Sequence, residues 1–222
     1  MSGKLLVFEG AEGVGKTTQV ARLAARLEAL GVPAERYREP GGTPLGDEIR
    51  ELLLNPVSRD ITPRAEALLF MAARAQLVAH IASRLREGAI VLLDRFFLST
   101  YAYQISGRGL EGPLVRDANQ LAVGGLTPDL TLLLAGDPQV AEERVRSRGG
   151  LDRMEQEDRA FHDRVSAAFL AAADPVWQAA HPEVGPIERI DADDSVDGVG
   201  ARIDRALAAR WPETFSRLDE SL

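Results

Sequence analysis

The feature that most limits what this chain can fold into lies at its start. Lys4 to Glu9, KLLVFE, is a short apolar run closed by Gly10 and reads as a strand buried on both faces. It leads into GAEGVGKT, Gly10 to Thr17. From Lys16 onward Val20, Leu23, Leu27 and Leu30 fall on one helical face, until Gly31 caps the helix. Strand, glycine-rich turn and helix in that order form the opening half of a parallel βαβ unit. The turn also fits G-x-x-x-x-G-K-[ST] at every fixed position. Gly10, Gly13 and Gly15 let consecutive backbone N–H groups converge on one anion, and the helix N-terminus adds its positive dipole end. The expected cradle is Gly10, Ala11, Glu12, Gly13, Val14, Gly15, Lys16, Thr17 and Thr18. Lys16 is expected to reach the β- and γ-phosphates of a nucleoside triphosphate, and the Thr17 hydroxyl to ligate Mg²⁺. Lys4 and Lys16 are the only lysines in a chain whose other basic residues are arginines, which draws attention to Lys16.

Further strands are predicted at Ala34 to Arg38, Ala89 to Asp94, Asp129 to Leu134 and Pro186 to Ile190. Helices are expected at Glu48 to Leu54 and from a Thr62 N-cap with Pro63 at the first position to about Arg86. Others follow at Leu98 to Ile105, Pro113 to Val123, Gln139 to Arg148, Ala160 to Ala180 and Val196 to Arg210. This alternation predicts an α/β fold, a P-loop NTPase-type five-stranded parallel sheet with helices on both faces. Residues 1–211 read as one domain and 212–222 as a short C-terminal tail, either frayed or docked. With no cysteine, a disulfide scaffold, a thiolate zinc site and a cysteine nucleophile are all excluded. A net charge of -8 argues against a general electrostatic grip on nucleic acid or anionic lipid. Neither a signal-peptide pattern nor an apolar run of spanning length stands out, so a cytoplasmic protein without membrane attachment is expected.

The third predicted strand ends in Asp94-Arg95. A carboxylate there lies at the mouth of a parallel sheet, close to bound phosphates. Asp94 could complete a Mg²⁺ shell and Arg95 clamp an acceptor phosphate; alternatively, Asp94 is a helix N-cap and Arg95 a surface residue. There is no N/T-K-x-D guanine-reading motif, and the chain is short for a motor ATPase. A kinase of a small acceptor and an ATP-binding regulatory protein without turnover both remain open on these residues.

The blocks VFEGAEGVGKTTQ, REPGGTPLGDEIR, LLFMAARAQLV, DRFFLSTYAYQ, TPDLTLLL and RVRSRGGLDRME cover most of the chain. Together they resemble the thymidylate kinases, which transfer the ATP γ-phosphate to dTMP, yielding dTDP for dTTP synthesis. The resemblance implies that Phe70 stacks on thymine and that Arg74 donates to a thymine carbonyl. It implies that Arg38 and Arg95 engage the dTMP phosphate, while Pro40 walls the base pocket. Thr100 and Gln104 match positions near the base. Tyr103 matches a residue that crowds the sugar 2′ position, and Glu12 one that approaches the 3′-hydroxyl. Arg144 to Glu155 looks like the family's mobile lid. Gly13 leaves the P-loop without an arginine, so the resemblance assigns the transition-state charge to lid residues Arg148 and Arg153, the bacterial-type arrangement. Lys16, Arg95, Arg148, Arg153 and Glu12 thus form the expected catalytic set, with ATP as donor and Thr17 and Asp94 holding Mg²⁺. Homodimerisation is also implied, with the alanine-rich helix from Pro63 as its interface. The chain departs from the family pattern at Ala135, where aspartate is common, and at Phe96, where Tyr or His usually follows the DR pair. The adenine is expected near Asp191 to Ser195.

Overall fold

The computed structural model describes residues 3–58 and 60–219. Its strands are β1 (Lys4–Glu9), β2 (Ala34–Arg38), β3 (Ile90–Asp94), β4 (Leu130–Ala135) and β5 (Ile187–Asp191). The helices are α1 (Lys16–Ala29), α2 (Pro44–Leu54), α3 (Pro63–Arg86), α4 (Phe97–Thr100) and α5 (Gly112–Val123). They continue as α6 (Pro138–Arg148), α7 (Arg159–Ala171), α8 (Pro175–Ala180), α9 (Val196–Arg210) and α10 (Pro212–Asp219). All five strands are parallel, in the order β2-β3-β1-β4-β5. Phe8 pairs with Asp94 on one side and Leu132 on the other, while Arg38 pairs with Asp94. The strand ends that carry Gly10, Arg38 and Asp94 therefore share one carboxyl edge, where open α/β sheets bind ligands.

Alternate residues of β1 enter opposite layers, as the two-residue strand period requires. Leu5 and Val7 join Val91, Leu93, Leu77, Ile81, Phe97 and Phe169 on one face. Leu6 and Phe8 join Leu92, Leu132, Leu23, Leu27, Ile203 and Leu207 on the other. Each such buried Leu or Phe contributes about 1.5–3 kcal/mol relative to an exposed one.

Two expectations change. The run expected as one helix over Ala160 to Ala180 is broken after Ala171. Pro175 has no N–H and disfavours a helical Asp174, and the Asp174 side chain instead accepts from the Val176 and Trp177 N–H groups to start α8. The helix expected over Leu98 to Ile105 is a single α turn, α4, that widens into a π-helical segment, Tyr101–Gly107. Of the two alternatives left for the C-terminal tail, the structure has the docked one: α10 packs on α9, with Phe215 and Leu218 fully buried. The remainder of that tail, residues 220–222, lies outside the described residues.

By length and composition alone α3 is apolar enough to cross a bilayer. Here it packs against α2 and α5, and two of its buried residues, Glu66 and Arg74, are ionisable and paired with other elements.

Candidate active site

The glycine turn closes tightly because two of its glycines face backbone. A Cβ on Gly10 would sit 2.3 Å from the Leu134 carbonyl oxygen, and one on Gly13 2.1 Å from that of Ala141 in α6. Both have positive φ, so no other residue fits without moving β4 or α6. Lys16 is buried, and its Nζ donates to the carbonyls of Gly10 at 3.0 Å and Ala11 at 2.5 Å. Burial, with Arg95 nearby, pushes the ammonium down to about 8, against the pull of Asp94, Glu12 and Glu9. The Thr17 hydroxyl donates to Asp94 at 2.5 Å. One hydroxyl and one carboxylate form a hard oxygen donor set; this suits Mg²⁺, which keeps several waters and takes its other ligands from phosphates. Among the described residues no cluster of three His, Cys, Asp or Glu offers a closed cage.

Arg95 follows β3 with φ 70, the one positive φ outside glycine among the described residues. Such backbone costs about 1–3 kcal/mol and persists only where its surroundings over-determine it. Glu9, fully buried at the end of β1, accepts from the N–H groups of Phe96 and Ser99 and from the Ser99 hydroxyl, locking the turn. The Arg95 guanidinium donates to the Gly10 carbonyl at 3.1 Å and to Ser99 at 3.2 Å, and lies over the Tyr103 ring. It is 3.6 Å from Glu12, which also accepts from the Tyr103 hydroxyl at 2.6 Å. Burial alone would raise the Glu12 carboxyl, but Arg95, Tyr103 and Lys16 outweigh it and hold Glu12 below the usual carboxylate range.

One cavity of about 860 Å³ runs from the cradle, past Arg38 and Arg95, to Phe70, Arg74, Thr100, Tyr103 and Gln104. At its other end it meets Ala192, Asp194 and Ser195. Arg74 is buried, and its donors already have partners. Nε donates to Glu39 at 2.6 Å, one terminal nitrogen to Thr100 at 2.7 Å and Asn119 at 2.6 Å, and the other to the Phe96 carbonyl at 2.9 Å. A thymine carbonyl would have to share one of these donors. Burial pushes Glu39 up to about 7, even with Arg74 pulling it down.

The family comparison agrees with this geometry. Residues 8–188 match the family model described as thymidylate kinase. The thymidylate kinase of Pelotomaculum thermopropionicum is 49% identical over 175 residues, covering 78% of this chain and 81% of that protein. That of Deinococcus radiodurans is 48% identical, covering 82% and 91%. For Magnetococcus marinus the figures are 43% identity over 97% of this chain and 100% of the relative. The chain belongs to the thymidylate kinase family.

Within this family member, the two expected lid arginines part company. Arg148 ends α6, lines the cavity and is bound to Glu155. Arg153, expected beside it as a catalytic residue, is buried and does not line the cavity. Its backbone N–H donates to the Leu54 carbonyl at 3.0 Å and its Nε to that of Leu53 at 2.7 Å, while a terminal nitrogen reaches Glu66 at 2.7 Å. Arg153 thus caps the carbonyl end of α2, where helix carbonyls lack partners and favour a cation. Arg144 does line the cavity, with one of its terminal nitrogens 3.5 Å from the Gly13 carbonyl. Arg50, also on the wall, donates to the Pro40 carbonyl at 3.0 Å.

Sequence reasoning passed over Glu9, Glu39, Asn119 and Glu66. Glu66 stands in the first turn of α3, where an acid is expected on dipole grounds alone. Nothing in its spacing announces that it is fully buried.

Proposed function

We propose that this chain transfers the γ-phosphoryl group of ATP to dTMP, giving dTDP. The observation that carries this reading is the single cavity joining a lysine-bearing phosphate cradle to a pocket lined by an aromatic ring and amide and guanidinium groups. Arg38 and Arg95 stand between the two ends. The chemistry is positioning plus electrostatics, with no covalent enzyme intermediate: an acceptor phosphate oxygen attacks the γ-phosphorus in line and ADP leaves. The backbone N–H groups of the cradle and Lys16 hold the donor phosphates. Lys16 releases its two carbonyl partners to do so, and the phosphates stabilise its charge. Arg95, held rigidly by Glu9 and Ser99, fixes the acceptor phosphate, and Arg38 closes on it from β2. Glu12, kept ionised, accepts from the sugar 3′-hydroxyl, and Tyr103 crowds the 2′ position. Phe70 stacks on the base, while Thr100, Gln104 and Arg74 bond its edge and Pro40 walls it. Arg148 and Arg144 bring charge to the γ-phosphoryl group when the lid closes. Thr17 and Asp94 would hold Mg²⁺, which would supply positive charge to offset that of the donor phosphates.

The same reading makes residues 1–211 one nucleoside monophosphate kinase domain, with its lid at 144–155 and α10 as an appended segment, acting in the cytoplasm. It also makes the protein a homodimer. The exposed leucines of α3 and α5 support this, Leu68 at 61%, Leu114 at 63% and Leu121 at 87%. Sedimentation of the protein at micromolar concentration checks the dimer. The test of function is ADP release with a panel of nucleoside monophosphates. Turnover is expected with dTMP and to be strongest there. A different preferred acceptor would reassign the pocket, and nucleotide binding without turnover would make the chain a regulatory ATP binder.

A further inference from the structure

The base pocket rests on a buried carboxylate that the reaction itself does not use. Glu66, fully buried in α3, accepts from both Nε and a terminal nitrogen of Arg108, at 3.0 and 2.8 Å. It accepts from Arg153 at 2.7 Å and from the Gln104 side-chain amide nitrogen at 3.1 Å. Arg108 is anchored in turn by Glu157 at 2.7 Å. One carboxylate therefore joins α3, the π-helical segment and the foot of the lid.

Two guanidiniums keep that carboxylate ionised, and an ionised carboxylate can only accept. The end of the Gln104 amide that faces Glu66 must then be its NH₂. Gln104 lines the cavity while Glu66 does not, so the carbonyl oxygen of Gln104 is the end left for a ligand. Among the described residues it has no hydrogen-bond partner. Thymine and uracil carry an N3–H donor, whereas the N3 of cytosine is an acceptor. A carbonyl at this position pairs with the first two and opposes the third.

We propose that Glu66 is a positioning residue for acceptor selection: by holding the Gln104 amide in one orientation, it makes the pocket accept a pyrimidine with an N3–H and reject one without. Arg153 and Arg108 maintain that orientation from outside the cavity. The inference rests on the dTMP kinase reading above. Burial works against the charge on Glu66, but Arg108 and Arg153 hold the carboxyl below its ordinary range, in keeping with a permanent acceptor.

The test is the ratio of kcat/KM for dTMP to that for dCMP, with dUMP as an internal control. Glu66→Gln supplies an amide that can donate as well as accept, so Gln104 can turn over. The dTMP:dCMP ratio is expected to fall by about tenfold or more, the range of one buried polar mismatch. The dTMP:dUMP ratio, which reports the 5-methyl group and not N3, is expected to stay unchanged. A merely structural role would lower all three activities together and leave both ratios alone. Gln104→Met should produce the same fall, and adding Glu66→Gln to it should produce no more. If Glu66→Gln does not fold, Glu66→Asp keeps the charge that both arginines need while withdrawing it from Gln104, and the same fall is expected. An unchanged dTMP:dCMP ratio in the folded variant overturns the proposal. Failure of the unsubstituted protein to phosphorylate dTMP would instead overturn the functional reading on which it rests.

Discussion

Replacing Arg148 and Arg153 one at a time by alanine separates charge delivered to the reaction from charge that builds the fold. Arg153→Ala removes a hydrogen bond to Glu66 and leaves the buried Leu53 carbonyl without its partner at 2.7 Å. A bond to a charged group contributes about 1.5–3 kcal/mol and an orphaned buried acceptor costs about 1–3 kcal/mol. Because Arg108 still pairs with Glu66, the sum should stay near 3–5 kcal/mol rather than exceed it. At about 2–4 °C per kcal/mol for a chain of this size, Tm should fall by about 10 °C. Arg148 has a side chain 63% exposed and, among the described residues, is paired only with Glu155. Arg148→Ala should therefore cost under about 1 kcal/mol of stability. If its guanidinium meets developing charge on the γ-phosphoryl group, the chemical step should slow by about 10²–10³. The paired assay is thermal unfolding and single-turnover phosphoryl transfer with ATP and dTMP saturating. Arg153→Ala should keep its chemical step within about threefold below its Tm. An Arg153→Ala protein of unchanged Tm and collapsed chemistry would refute the reasoning, because it would require Arg153 to leave Glu66 and α2 during turnover.

Lys16→Ala should slow transfer by about 10²–10³ while dTMP affinity stays near that of the unsubstituted protein; binding calorimetry beside single-turnover kinetics checks both. Asp94→Asn should raise the Mg²⁺ concentration for half-maximal activity and leave the thermal midpoint nearly unchanged, a pairing read from a magnesium titration and a melt. Arg74→Ala strands the fully desolvated Glu39 carboxylate and should destabilise the protein by about 3–5 kcal/mol at pH 8. With Arg74 in place burial lifts Glu39 to about 7, and losing Arg74 lifts it further; by pH 5 the carboxyl is neutral with or without the arginine, so the loss should shrink there, as denaturant unfolding at the two pH values will reveal. Phe215→Ala should cost about 3–5 kcal/mol if α10 belongs to the folded unit, and an unaltered Tm would mean that the tail is dispensable.

The strand, glycine turn and helix at residues 4–29 were legible because each part informs its neighbour within a few positions. An apolar run, three glycines and a helical stripe cannot satisfy their spacings together in many other ways. The same holds for Asp94-Arg95, since a buried strand that ends in a carboxylate already implies the sheet's carboxyl edge. Thr62 and Pro63 fixed the start of α3 in the same local manner, with Thr62 accepting from the Ala65 N–H. Tertiary structure alone decided what the buried charges do. Arg153 stands 87 residues from Glu66, and Arg74 stands 35 residues from Glu39. Read along the chain, Arg153 belongs to an arginine-rich lid and Glu66 to a helix dipole. Their burial follows from α2, α3 and the π-helical segment meeting at one place, which no local spacing encodes. A guanidinium carries the same charge in the cavity and in the core, and its role is set by which acceptors surround it once water has been excluded.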